Sequence, residues 1–506
     1  MFDDTIAAIA TPLGEGGIGI IRISGEKTLE ILRNVFVSPS QKTEFFKHFK
    51  QKSGFDDQRN SQDTYNSGNN EKNEKNEADY AENEQVSGGY NKFENRKLIY
   101  GYILDRKDKE IIDEVLVAFM NSESSYTRED VGEIYCHGSI IALKKTLELV
   151  LRSGARLAER GEFTKRGFLN GRIDLAQAEA VVDLVKAKTE KGYSIALSQL
   201  EGGLSSKISS IRDKILETLA HIIVNIDYPD SDVEEISYKI LSHSLMSIED
   251  AIDELLATCE AGKIIKEGLS TAIIGKPNVG KSSLMNALLR ENRAIVTEIP
   301  GTTRDTIEEI INVHQIPIKL IDTAGIRETH DEIEKIGIKK SKESYERADL
   351  IILVLNASAI ISDEDKYIIE QIKNKKTIVL LNKIDLGQEL SNEYIIGLVP
   401  GARIIRTAIN KNVGLKELED AIVDYVFSGK VKQDESMLIT NTRHKILLEE
   451  SKEAVEEALA MTIKGEALDF IEVDIKKAWE LLGEIIGETI SENIIDQVFS
   501  RFCLGK

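Results

Sequence analysis

The octapeptide Gly275-Lys276-Pro277-Asn278-Val279-Gly280-Lys281-Ser282 constrains this chain more tightly than any other stretch. It follows the apolar run Thr271-Ala272-Ile273-Ile274 and precedes a helical pattern from Ser283 to Arg290. The spacing therefore predicts a strand, a glycine-containing loop and a helix in immediate succession, the context of an α/β phosphate-binding unit. The glycines let the backbone amides and the helix N-terminus face an anion. Lys281 is placed to neutralise β and γ phosphate oxygens, and the Ser282 hydroxyl to join a Mg²⁺ ion. Asn278, Val279, Gly280 and Ser283 complete the expected cradle.

Three later motifs name the base. Asp322-Thr323-Ala324-Gly325 follows the apolar stretch Ile316 to Ile321, which places Asp322 near the Mg²⁺ shell and the Gly325 amide near the γ-phosphate. Asn382-Lys383-Ile384-Asp385 follows Thr377 to Leu381. The Asp385 carboxylate there accepts the N1 and N2 protons of guanine, a pair of donors that adenine lacks, and a site built on such bonds rejects the analogue without them. Thr407-Ala408-Ile409, after Arg403 to Arg406, stands where such proteins carry a Ser-Ala-Lys turn under the base, and departs from it at Thr407 and Ile409. In this order, each after a strand, the motifs imply GTP and GDP as ligands.

Composition limits the rest. No run reaches the roughly 18 to 20 apolar residues of a membrane span, and Met1-Phe2-Asp3-Asp4 lacks the basic flank of a signal peptide. The expected compartment is the cytoplasm, without membrane attachment. Three cysteines, Cys136, Cys259 and Cys503, are too few for a disulfide framework. Against 65 Lys and Arg stand 86 Asp and Glu, a net charge of −21. That balance excludes a broad basic face for nucleic acid, so contact with RNA calls for a local patch or a basic partner.

A length of 506 residues suggests three or four domains. Residues 51–95 hold no Ile, Leu or Met, and Asn, Glu, Lys, Ser and Gly dominate. The expectation is a disordered or poorly ordered insertion in a surface loop. It interrupts a small α/β region: a strand over Gly19 to Ser24, a helix near Lys27 to Val35, strands near Leu98 to Leu104, Glu114 to Met120 and Glu133 to Cys136, and a helix over Ile140 to Leu151. From about Gly171 the period turns helical, through Leu175, Ala178, Val182 and Val185, then Ile211, Ile215, Leu219 and Ile222. It turns helical again from Met437 onward. The pattern predicts one helical domain in two chain pieces with the nucleotide domain inserted between them.

Outside the nucleotide segment the chain carries Gly16-Gly17-Ile18-Gly19-Ile20-Ile21-Arg22-Ile23-Ser24-Gly25, Tyr126-Thr127-Arg128-Glu129-Asp130, Gly161-Glu162-Phe163, Phe168-Leu169-Asn170-Gly171-Arg172-Ile173-Asp174-Leu175-Ala176-Gln177-Ala178-Glu179-Ala180 and a final Phe502-Cys503-Leu504-Gly505-Lys506. With these runs it resembles the tRNA-modifying GTPase family MnmE, or TrmE, over almost its whole length apart from 51–95. The resemblance implies a multidomain α/β plus all-α fold. Its parts are a small N-terminal α/β folate-binding-like domain (1–170), a discontinuous helical bundle (171–267 and 429–506) and an inserted Ras-like P-loop GTPase domain (268–428).

The family's activity is GTP hydrolysis in a wobble-uridine (position 5) tRNA modification, carried out with the flavoprotein MnmG and a folate one-carbon donor. What the resemblance implies for residues follows position by position. Arg22, Glu133, Arg172 and Lys506 match the site for 5-formyltetrahydrofolate or a related folate: the cations suit the glutamate carboxylates and Glu133 the pterin donors. Read without the family, Glu133 alternates outward on a strand and Arg172 is a solvated helix start. Cys503 is a nucleophile for the modification or a small buried thiol. Ras-like switches orient the attacking water with a Gln after Asp-x-x-Gly; here that position is Ile326, and the family's acid corresponds to Glu334. Asn278, Thr297, Ile299 and Thr302 match a K⁺ site, and Thr303 the second Mg²⁺ ligand. A homodimer whose switch domains meet in K⁺ is the implied catalytic state, with tRNA engaged through the MnmG complex. Two other classes are weighed: a ribosome-assembly GTPase of the Era kind, which calls for a basic module where Met437 to Lys506 is acidic, and a folate-sensing regulatory GTPase.

Overall fold

Alternation along Gly16–Ser24 buries Ile21 and Ile23 on one face and turns Arg22 to the other, and this sets the geometry of the N-terminal sheet. The computed structural model describes residues 3–52, 92–227, 238–292, 309–321, 346–387, 389–427 and 438–506. These fall into two compact units, residues 1–173 with 491–506, and 174–490.

The first unit is a seven-stranded sheet in the order β3-β4-β5-β6-β2-β1-β7. Its strands are β1 (Ile6–Ile9), β2 (Gly16–Ser24), β3 (Phe36–Val37), β4 (Leu98–Asp105), β5 (Glu110–Met120), β6 (Val131–Gly138) and β7 (Arg156–Leu157). Neighbours run antiparallel except β1 and β7. Helices Thr28–Val35 and Ile140–Arg152 cover one face, where Ile31, Leu32, Leu143 and Val150 pack on Ile21, Ile23, Val117 and Ile134. Helix Glu162–Leu169 covers part of the other through Phe163, packed with Ile6, Ala8 and Ala158. Full burial of one such ring contributes about 1.5–3 kcal/mol.

Arg166 on that helix is fully buried, and three carboxylates neutralise it: Asp4 Oδ1 at 2.7 Å, Glu162 Oε1 at 2.9 Å and Glu129 Oε2 at 3.1 Å. Burial raises the Glu162 carboxyl, but its bonds to Arg156, the Glu159 amide and Arg166 bring it below the usual carboxylate range.

Two expectations change here. Residues Ser491–Lys506 belong to this unit rather than to the helical bundle expected over 429–506. Helix Glu492–Phe499 ends in a Phe499–Phe502 ring pair with centroids 5.0 Å apart, Lys165 Nζ pairs with Asp496 at 2.6 Å, and the Gly161 amide donates to the Cys503 carbonyl at 3.3 Å. Of the expected insertion, residues 53–91 lie outside the described residues, while its flanks are built into the fold. Gln51 and Lys52 end helix Pro39–Lys52, Phe93 lies 5.7 Å from Phe36, and Asn95 bridges Phe119.

The second unit holds a six-stranded sheet in the order β13-β12-β11-β8-β10-β9. The strands are β8 (Leu269–Ile274), β9 (Glu309–Val313), β10 (Ile316–Ile321), β11 (Leu350–Asn356), β12 (Thr377–Asn382) and β13 (Arg403–Thr407). All pairs are parallel except β9 with β10. The unbroken apolar runs of β11 and β12 are buried on both faces, as a helix-covered parallel sheet requires. Separate apolar clusters fill the two sides, one around Leu284, Leu320 and Leu380, the other around Ile351, Val379 and Ile395.

Helices Gly203–Asp227, Tyr238–Leu256, Thr442–Lys464 and Leu468–Ile486 share a further core through Ile215, Leu245, Val455 and Leu482. Helical segments before and after the sheet thus pack together, as the returning periodicity predicts. A polar clasp joins three of the helical pieces. Arg443 Nε donates to Glu179 Oε1 at 3.0 Å, His444 Nε2 lies 2.6 Å from Glu179 Oε2, and Arg443 Nη1 donates to the Glu484 carbonyl at 2.8 Å. Burial raises the Glu179 carboxyl, yet His444 and Arg443 outweigh it and bring it down to about 2. Among the described residues no helix is long and apolar enough to cross a membrane.

Candidate functional site

Strand register assembles the nucleotide motifs. Ile274 lies opposite Leu353, Asn356 opposite Asn382, and Asn382 opposite Thr407, so the strand ends carrying the motifs line one carboxyl edge of the sheet. Ligands of open α/β sheets bind at such an edge. The phosphate loop leaves β8 there and runs into helix Lys281–Asn292.

Asn382 is the hub. Its Nδ2 donates to the Val279 carbonyl at 2.8 Å, and its Oδ1 accepts from Thr407 Oγ1 and from the Ile409 amide, each at 3.2 Å. One buried amide therefore joins the phosphate loop, the Asn-Lys-x-Asp turn and the Thr-Ala-Ile turn. Gly280 makes this possible: its φ is +112°, and a Cβ at that position would overlap the Asn382 amide nitrogen. The Val279 side chain is buried in the core, so this loop residue presents only its main chain.

Lys281 Nζ donates to the carbonyls of Gly275 and Lys276, both at 2.6 Å. Burial holds its ammonium below the usual lysine range, partly opposed by Glu364. Lys383 Nζ reaches back to the Asn278 carbonyl at 2.7 Å, Asp385 pairs with Lys411 at 3.2 Å, and Ala408 bridges Val413. Asn278 is exposed at φ +62°. Ser282 and Ser283 open the helix.

One contact was not foreseen. Lys276 Nζ meets Asp365 Oδ2 at 2.6 Å and Ser362 Oγ at 2.8 Å, at the start of helix Asp363–Gln371. The sequence carries a partial signal, since Ser362-x-x-Asp365 before a helical pattern is a capping box. Nothing in it points to the loop lysine. Thr297, Ile299, Thr302, Thr303, Asp322, Gly325, Ile326 and Glu334 lie outside the described residues.

In the first unit, Arg22 and Glu133 are register partners on β2 and β6, and Arg22 Nε donates to Glu133 Oε1 at 2.9 Å. Tyr135 Oη donates to Glu133 Oε2 at 2.6 Å, which leaves the carboxylate bridged between them. Arg22 Nη1 also donates to the Gly505 carbonyl at 3.4 Å. Burial lowers the Lys506 ammonium, Cys503 raises it, and the nearby Arg22 charge lowers it further. Arg172 is exposed, with its guanidinium 4.6 Å from the Tyr126 ring centroid. Arg22, Glu133 and Lys506 thus share one corner of the sheet, and Arg172 sits beside Tyr126, whose hydroxyl is pushed up by burial and drawn partly back by Thr164 and by the Arg172 and Arg22 charges. The cation-rich donor set with a fixed carboxylate suits a polyanionic ligand that also carries ring donors. Cys503 is exposed, which removes the buried-thiol alternative, whereas Cys136 and Cys259 are buried and pushed up to about 12 and about 11. Among the described residues no His, Cys, Asp and Glu group gathers to hold a metal ion.

Comparison with known proteins covers nearly the whole chain. A model described as GTP-binding protein TrmE N-terminus matches residues 5–65 and 67–172, and one described as MnmE helical domain matches residues 175–503. The tRNA modification GTPase MnmE of Alkaliphilus oremlandii (strain OhILAs) is 48% identical over 504 residues, covering 100% of this chain and 99% of that protein. Its counterpart in Clostridioides difficile (strain 630) is 49% identical with the same coverage. The Bacillus subtilis (strain 168) protein is 44% identical, covering 99% of this chain and 100% of that one.

Proposed function

The chain belongs to the MnmE family of tRNA modification GTPases, and from that membership we propose that it hydrolyses GTP to drive modification of the tRNA wobble uridine at position 5 of its base. The observation that carries the nucleotide part is the Asn382 hub, which draws phosphate loop and base-recognition turns to one sheet edge. Lys281 and the loop amides bind the phosphates, Asp385 selects guanine, and Asn382, Lys383, Thr407 and Ala408 shape the base pocket.

Ser282 with Thr303 would hold Mg²⁺, and Asp322 and Gly325 would stand beside the γ-phosphate. Bound there, Mg²⁺ supplies neutralisation of phosphate charge. Glu334, which matches the family's acid, orients the attacking water, since Ile326 stands where Ras-like switches carry a Gln. Asn278 with Thr297, Ile299 and Thr302 would hold K⁺ once two switch domains meet, and its charge would take the place of an arginine finger.

In the first unit, Arg22, Glu133, Arg172 and Lys506 bind a formylated tetrahydrofolate, and the exposed Cys503 is available as a nucleophile. The second protein of the reaction is the flavoprotein MnmG, and tRNA is met through that complex, in keeping with a net charge of −21.

The test is reconstitution with MnmG, GTP, K⁺, the folate and unmodified tRNA, followed by nucleoside analysis. A modified wobble uridine that disappears when GTP or folate is withheld is the expected result. Unmodified tRNA under all conditions sinks the proposal. Equal hydrolysis in Na⁺ and K⁺, or a specific activity independent of protein concentration, sinks the dimerisation step.

A further inference from the structure

Lys276 is the second residue of the phosphate loop, a position where the motif asks for no particular side chain. Its ammonium turns away from the loop to a buried carboxylate, Asp365, at 2.6 Å, and to Ser362 Oγ at 2.8 Å. Asp365 Oδ2 also accepts the Ser362 amide at 3.0 Å and the Ser362 hydroxyl at 2.9 Å, while its Oδ1 has no hydrogen-bond partner among the described residues. A carboxylate so buried and so unevenly satisfied depends on the cation beside it. The main chain of the same lysine does a second job, since the carbonyls of Lys276 and Gly275 both accept Lys281 Nζ at 2.6 Å. A chain of contacts thus runs from helix Asp363–Gln371 through the Lys276 side chain to the two carbonyls that hold the phosphate-binding ammonium. The loop that leaves β11 toward that helix is tied to the base side as well, because the Ala357 amide donates to the Asn382 carbonyl at 2.7 Å.

We infer that Lys276 is a positioning residue for nucleotide binding: its ion pair with Asp365 fixes the phosphate loop against the 357–365 segment and so sets the place of Lys281. The inference rests on the GTPase assignment proposed above. A merely structural lysine would change melting alone, and a lysine acting as a free positive charge would act independently of Asp365.

The test uses the full chain and fluorescent GDP in stopped flow, with steady-state GTP hydrolysis alongside. In Lys276→Met, GDP dissociation rises about tenfold, the factor that corresponds to 1.4 kcal/mol, and KM for GTP rises while kcat at saturation stays within about twofold. Asp365→Asn moves dissociation in the same direction. The double variant goes no further than the larger single effect, because both changes cut one link. Lys276→Arg keeps dissociation within about threefold of the parent, since a second cation can make the pair. Unchanged dissociation in Lys276→Met, or multiplied effects in the double variant, overturns the inference. If Lys276→Met fails to fold, Ser362→Ala decides: a rise of about twofold or more supports the link, and no rise overturns it. Failure of the parent protein to bind GDP at all would instead remove the GTPase assignment.

Discussion

Asn382→Asp tests the hub by changing the chemistry of one atom while keeping its shape. Nδ2 donates to the Val279 carbonyl at 2.8 Å, so an oxygen in its place sets two acceptors against each other in a buried site. The other side-chain oxygen keeps its bonds to Thr407 Oγ1 and the Ile409 amide, both at 3.2 Å. Leaving the Val279 carbonyl unsatisfied in place of that bond costs about 1–3 kcal/mol. That is a factor of roughly 5 to 150 in a binding constant. If the loop keeps its place without nucleotide, the cost lowers the melting temperature; if it relaxes, the cost appears as weaker binding. Fluorescent GDP titration and thermal melting with and without GDP therefore measure both shares. Thr407→Val, which loses one 3.2 Å bond, should cost about 0.5–1.5 kcal/mol. An Asn382→Asp protein that binds GDP within about threefold of the parent and melts within about 1 °C of it would refute the reasoning.

Three further outcomes are expected. The Glu179 carboxyl sits at about 2 in the folded protein, against 4.5 ordinarily, so Glu179→Gln should destabilise the helical clasp by about 3 kcal/mol at neutral pH. Because the folded value is depressed, that contribution is full above the ordinary value of 4.5 and is lost as pH falls from there through about 2; hydrogen exchange in helix Thr442–Lys464 at pH 7 should be faster in the variant, and equal protection would count against the assignment. Alkylation of the native protein at pH 7.5 should label Cys503 alone, with Cys136 and Cys259 reacting only after denaturation; peptide mapping that finds either buried thiol labelled would contradict their placement. Gly505 has φ +87° and a Cβ there would overlap the Ile9 carbonyl, so Gly505→Ala should loosen the Arg501–Lys506 segment and speed Cys503 alkylation severalfold; an unchanged rate would show that the segment is not held at Gly505.

Legibility followed the range of each signal. The phosphate loop, the strands at its sides and the two-piece helical bundle were readable, because each rests on a period or a motif within a few turns of chain. The hub was not. The three partners of Asn382 come from separate strand ends, and no spacing along the chain announces that their ends share an edge. The helical patterning that returns at Met437, through Leu447, Val455, Ile475 and Leu482, does not by itself separate residues 491–506 from the bundle. Such a pattern states that a face is apolar without stating which core receives it, and here Phe499 packs on Phe168 and Phe502. Arg166 was invisible for a related reason. A charged residue reads as surface until the carboxylates of Asp4, Glu129 and Glu162 close around it.

The joining of 491–506 to 1–173 sets an order of events during synthesis. The corner that holds Arg22 and Glu133 cannot acquire Gly505 and Lys506 until the entire nucleotide-binding sheet and helical bundle have been translated. At 5–20 residues per second that delay is roughly 16 to 70 s, long enough for the later domains to begin folding as they emerge. The first unit to appear is therefore the last to be completed. A chain interrupted just before Ser491 would carry all six strands of the second sheet, the phosphate loop and the Asn382 hub while lacking the segment that closes the N-terminal corner.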